Sequence, residues 1–178
     1  MFGLESDCPS KGPGQSDEEF NISSDGKYLA IAKRRTNDDN TQKSDMAWST
    51  DVPIYLIELS LNSSIPLDYK LISGVDWHGV NNCPVFTSDN NYLLFLSMNR
   101  PKYESDKTEI RLYNLTTGLL ISLTEHIDLS FHCIEFGKCT NEYLTIYSVV
   151  LYHGVSRIFR LTVDITISSP ILTNIEIM

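Results

Sequence analysis

Within seven residues the chain places Arg100, Pro101, Lys102, Tyr103, Glu104, Ser105 and Asp106. Side chains of these types could hold a peptide end. The two carboxylates suit an amine, the guanidinium suits a carboxylate through paired N–H donors, and the Tyr103 ring offers a face to a cation. Arg100, Tyr103, Glu104 and Asp106 are therefore the substrate-facing candidates. The same residues also admit a self-contained loop in which Arg100 pairs with Glu104 or Asp106 and fixes the shape. Glu18-Glu19, just before the first regular segment, is a second carboxylate pair, and acids in such a position also serve as plain solvated surface.

Chemistry of bond cleavage finds less support. A nucleophile elbow, G-x-S-x-G, sets a serine on a sharp strand-to-helix turn. The nearest strings, Gly154-Val155-Ser156-Arg157-Ile158 and Gly14-Gln15-Ser16-Asp17-Glu18, lack both the final glycine and a helix to follow. His132, Cys133 and Cys139 bring metal-binding types close together, but strand alternation sends His132 and Cys133 to opposite sides, and no second pair stands at zinc spacing. His78, His126 and His153 are isolated and read as loop residues. No catalytic residue, metal ligand or cofactor is expected in this chain.

Composition sets the outer bounds. With 178 residues, 42% of them apolar and 10% aromatic, the chain has the means to build a core. A formal charge of −9 argues against nucleic acid as a partner, because phosphate binding needs clustered cations. The one basic cluster, Lys33-Arg34-Arg35, is soon followed by Asp38 and Asp39 and reads as the end of a hairpin. No apolar run approaches the roughly eighteen residues of a membrane span, and residues 1–17 lack the basic start and apolar middle of an export signal. The expectation is a soluble chain that does not engage membrane, with the cytoplasm as favoured compartment. Cys8, Cys83, Cys133 and Cys139 are too few and too scattered for a disulfide framework.

The elements that position the candidates show a repeat. After a Gly-, Pro- and acid-rich lead-in at 1–17, three stretches follow one plan: "FNISSDGKYLAIAKRR", "PVFTSDNNYLLFLSMNR" and "IEFGKCTNEYLTIYSVV". Each has a short strand, a turn, a tyrosine (Tyr28, Tyr92, Tyr143) and a second, strongly apolar strand. A third strand follows from Ile54, Ile110 and Ile158, and a fourth at 67–72, 119–123 and 171–175. The tyrosines are 64 and 51 residues apart, near the period of four-stranded propeller blades. A β-sandwich also has many short strands, but its strands do not recur as a four-strand unit. The expected fold is all-β, a partial β-propeller of about three four-stranded antiparallel blades, at 18–72, 83–123 and 130–176.

In a four-strand meander the turns alternate between the two ends of the sheet. The short turns "SSDGK" and "LTTG" then share one end, and the long connections 35–52, 99–109 and 124–129 share the other. Extra loop length at one end of a rigid scaffold is what a docking or substrate-facing surface needs.

The stretches "EEFNISSDGKYLAIAKR", "AWSTDVPIYLIEL" and "SMNRPKYESDKTEIRLYNLTTG" resemble the propeller of the prolyl oligopeptidase family of serine peptidases, in its dipeptidyl peptidase 5 branch near the acylaminoacyl peptidases. The resemblance covers about residues 3–164, and R-P-x-Y-E-S-D-K after a strand is its narrowest motif. It implies a propeller of roughly seven or eight blades beside an α/β-hydrolase domain that carries Ser, Asp and His. It implies peptide substrates, with the propeller restricting access. This chain matches about three middle blades and no part of the hydrolase domain, so no catalytic residue carries over, and it looks like a fragment or a truncated relative. The function implied is a non-catalytic propeller segment of a serine exopeptidase that gates or docks peptide; the alternative is a truncated propeller serving as a protein-binding scaffold.

Overall fold

The computed structural model describes residues 20–33, 52–59, 69–73, 79–100 and 105–178. The lead-in at 1–17, Glu18-Glu19, most of the 35–52 connection, His78, Tyr103 and Glu104 lie outside the described residues. Among the described residues the chain is all-β, without a helix, and forms three four-stranded antiparallel sheets. The first holds β1 (Phe20–Ile22), β2 (Tyr28–Ala32), β3 (Ile54–Glu58) and β4 (Tyr69–Leu71). The second holds β5 (Asn81–Phe86), β6 (Tyr92–Met98), β7 (Thr108–Asn114) and β8 (Leu120–Ser122). The third holds β9 (Glu135–Cys139), β10 (Tyr143–Tyr152), β11 (Val155–Asp164) and β12 (Ile171–Ile177). Each is a meander in which every strand pairs with the next, and the sheets stand side by side like propeller blades without closing into a ring.

The turn before each tyrosine is built by a hydroxyl. Ser23 Oγ accepts the backbone N–H of Tyr28 at 2.8 Å and donates to Asp25 Oδ1 at 2.7 Å. Thr87 Oγ1 accepts the N–H of Tyr92 at 3.0 Å, while Asp89 Oδ1 accepts the N–H of Asn91 at 3.1 Å. Between acid and tyrosine the chain needs a residue at positive φ, supplied by Gly26 (71°) and Asn90 (56°). In the third sheet only two residues separate Thr140 from Tyr143, so the turn is tighter, yet Thr140 Oγ1 still accepts the Tyr143 N–H at 2.9 Å.

Packing explains why the middle sheet is the most apolar. Tyr92 through Ser97 are all buried, whereas β2 and β10 mostly alternate between buried and partly exposed positions. Leu93, Phe95 and Tyr113 on one face of the middle sheet meet Ala30, Ala32, Ile54 and Leu56 of the first. Leu94, Leu96, Ile110 and Leu112 on the other face meet Leu144, Ile146, Phe159 and Leu161 of the third. A strand covered on both faces must be apolar throughout, while one covered on a single face alternates.

Polar ties fix which turns share an end. The turn of the first sheet reaches the turn of the second, where Ser24 N donates to Asn90 Oδ1 at 2.9 Å. The β7–β8 turn joins them through Leu115 N to Asn91 O at 2.9 Å. At the opposite end Met98 N donates to Val80 O and Asn81 N donates to Val52 O.

Two local expectations change. His132 and Cys133 do not lie in a strand; they follow a bridge at Phe131 in the link from β8 to β9, where the Cys133 carbonyl accepts Ser148 Oγ. The third strand of the last sheet begins at Val155, not Ile158, because His153 (φ 51°) and Gly154 (φ 77°) close a two-residue hairpin. Where the second sheet has a long connection, the third has this tight turn.

Candidate functional site

The loop between β6 and β7 is held at its base by one carboxylate. Asp106 Oδ2 accepts the backbone N–H of Asn99 at 2.8 Å and of Arg100 at 2.7 Å. Its other oxygen lies 3.7 Å from Arg100 Nε. The Asp106 side chain is 8% exposed and that of Arg100 is 71% exposed. Of the four sequence candidates, the structure brings Asp106 and Arg100 together, and Asp106 acts on the loop's own backbone. Tyr103 and Glu104 lie outside the described residues.

Behind the loop sits a charge cluster that the sequence reading missed. Glu109 is 1% exposed. Its Oε1 accepts Asn99 Nδ2 at 2.9 Å and lies 3.3 Å from Lys107 Nζ. Its Oε2 accepts Ser122 Oγ at 2.8 Å and lies 3.6 Å from Arg111 Nη2. Arg111 Nη2 also donates to Asn99 Oδ1 at 3.1 Å, which ties the strand to the first residue of the loop. Burial pulls the Arg111 guanidinium below its ordinary value, against the opposing pull of Glu109 and Glu125. The signal was in the sequence as Lys107-x-Glu109-x-Arg111: in a strand, residues two apart share a face.

Lys107 reaches further. Its Nζ donates to the carbonyls of Glu125 and Ile127, at 2.5 Å and 3.0 Å, and Phe131 N donates to Thr108 O at 3.1 Å. These bonds set Lys107 and Thr108, where the chain enters β7, beside the 124–131 link, at the end of the sheets away from the Asp25-Gly26 and Thr117-Gly118 turns. A shallow groove of about 510 Å³ opens beside the cluster, lined by Arg111, Ser122, Glu125, Ser169 and Pro170.

The arrangement binds and braces. Ser122 Oγ donates to a carboxylate that Asn99, Lys107 and Arg111 also engage, so the cluster is closed on its own partners. Among the described residues no group of three or more His, Cys, Asp or Glu side chains is placed to hold a metal ion. Cys139 lies beside Asp89, and burial first, then that carboxylate, pushes its thiol up to about 11, away from the range of a reactive thiolate.

A protein described as a probable dipeptidyl-peptidase 5 from Emericella nidulans is 31% identical over 119 residues, which are 66% of this chain and 16% of that protein. The dipeptidyl-peptidase 5 of Porphyromonas gingivalis is 30% identical over 143 residues, 77% of this chain and 18% of the relative. That of Schizosaccharomyces pombe is 27% identical over 161 residues, 90% and 21%. The chain is a relative of the dipeptidyl-peptidase 5 proteins. It spans about a fifth or less of the length of these curated relatives. No family model matches the chain, and no solved structure does.

Proposed function

We propose that the chain is the non-catalytic β-propeller segment of a prolyl oligopeptidase-type serine exopeptidase, and that it gates or docks peptide for a separate α/β-hydrolase domain. The observation that carries this reading is the coincidence of a repeated four-strand unit with similarity to dipeptidyl-peptidase 5 proteins over one stretch of their length. In the assembled enzyme, the end of the sheets that bears the 99–107 loop faces the catalytic domain or the substrate path. Arg100, Tyr103 and Glu104 meet the peptide, and Asp106 positions them by holding the loop's base.

Two measurements test the proposal. The purified chain should hydrolyse no dipeptidyl or acyl-amino-acyl reporter, because an acyl transfer needs an activated nucleophile and an oxyanion site. Turnover abolished by a serine-directed inhibitor would overturn the non-catalytic role. When this chain replaces the matching segment of the Schizosaccharomyces pombe relative, Glu104→Gln should raise KM for free-amine peptides more than for N-blocked ones. Equal effects on both substrates would reduce the loop to a structural element and favour the scaffold alternative.

A further inference from the structure

The three sheets end in strands of very different length. β4 and β8, the last strands of the first and second sheets, are three residues long, whereas β12 is seven. A short edge offers too few free backbone groups to template another strand, and a long one offers a row of them. The direction of those groups follows from the pairing. Met178 N donates to Ile158 O at 2.9 Å, and the register pairs Arg160 with Glu176 and Thr162 with Asn174, so residues 174, 176 and 178 point their backbone toward β11. By alternation, Ile175 and Ile177 point their N–H and C=O groups outward.

The side chains of this edge suit a copy of itself. Ile177 is 48% and Met178 62% exposed, so a partner strand would cover apolar surface. The only ionisable side chain in Ile-Leu-Thr-Asn-Ile-Glu-Ile is Glu176, which is already neutralised within the chain by Arg160 at 2.5 Å, with Asn174 Nδ2 3.2 Å away. Two such strands can meet antiparallel without opposing unpaired charges, although the whole chain carries a formal −9. No lysine guards the strand; its one protective feature is the bulge between Thr162 and Val163 in the β11–β12 ladder, which leaves residues 174–177 in unbroken register.

We propose that β12 is the pairing edge of a closed, two-fold symmetric dimer in which two copies of this chain join their third sheets antiparallel through residues 173–177. Such an interface is isologous, so it satisfies both edges at once and stops at two copies. Sedimentation velocity on the full chain across the micromolar range should show a monomer–dimer equilibrium. Amides of Ile175 and Ile177 should exchange slowly only at concentrations where the dimer forms. Thr173→Lys combined with Ile177→Lys puts like charges opposite each other and should raise the dissociation constant by about tenfold or more. Leu119→Lys, beside the short β8, should leave it unchanged; circular dichroism and the thermal midpoint verify that each variant folds. A chain that stays monomeric, an assembly that grows past two copies, or a dimer as strong in the double lysine variant as in the parent would overturn the proposal.

Discussion

The second and third sheets share a strand plan but connect their central strands in opposite ways. Between β6 and β7 the chain makes a long excursion, and it anchors that excursion with a buried carboxylate, Glu109, ringed by Lys107, Arg111, Asn99 and Ser122. Between β10 and β11 it turns in two residues, and the strands lengthen to ten residues each. The nearest ionic counterpart there, Arg160 with Glu176, lies at the surface, 40% and 38% exposed. A long loop on a sheet thus comes with buried polar bracing at its root, whereas a tight hairpin is held by its own ladder.

Removing each carboxylate tests that contrast. Glu109→Ala removes the buried carboxylate that faces Lys107 and Arg111 and should cost about 3 kcal/mol of folding stability. Glu176→Ala breaks an exposed pair and should cost about 0.5 kcal/mol or less. Urea titrations of both variants measure the difference. Near-equal losses would mean that the buried cluster does not brace the loop.

The turn clasps give a second, smaller test. Thr87 is 1% exposed and satisfies the Tyr92 N–H inside the packed middle sheet, so Thr87→Ala should cost about 1–2 kcal/mol. Thr140 makes the equivalent bond in a half-exposed, tighter turn, and Thr140→Ala should cost about 0.5 kcal/mol. Reversal of that order would show that turn length, not burial, sets the strength of the clasp.

The smallest effect is one of pH. The Ser23 hydroxyl, then the Lys27 backbone N–H and ammonium, hold the Asp25 carboxyl down at about 2, below the ordinary 3.8. Because the folded value is the lower one, the carboxylate contributes stability above the unfolded value and loses it as pH falls from 3.8 through about 2. Asp25→Asn should therefore be less stable than the parent at neutral pH, with the gap closing across that window. A gap that persists at pH 2 would assign the loss to turn geometry rather than to charge.

Much of this architecture was legible in the chain. The tyrosines at 28, 92 and 143, the Asp-Gly and Asp-Asn pairs before two of them, and the four-strand recurrence depend on interactions within a few residues, namely turn chemistry and side-chain alternation. The similarity to dipeptidyl-peptidase 5 proteins, a property of the sequence, runs over 66% and 77% of the chain. The Arg100–Asp106 contact was also legible as one of two pairings, since both residues flank one loop.

What only the tertiary structure decided involves partners distant in sequence. Glu109, between Lys107 and Arg111, is buried because Asn99 and Ser122 arrive from neighbouring segments and the first and third sheets pack on either side of the second. His132 and Cys133 leave the strand pattern because their backbone is held by Val149 and Ser148 across the sheet. Local patterning selects strands and turns, but whether a charge is buried depends on which hydrogen-bonding groups converge on it, and that convergence exists only once the sheets are stacked.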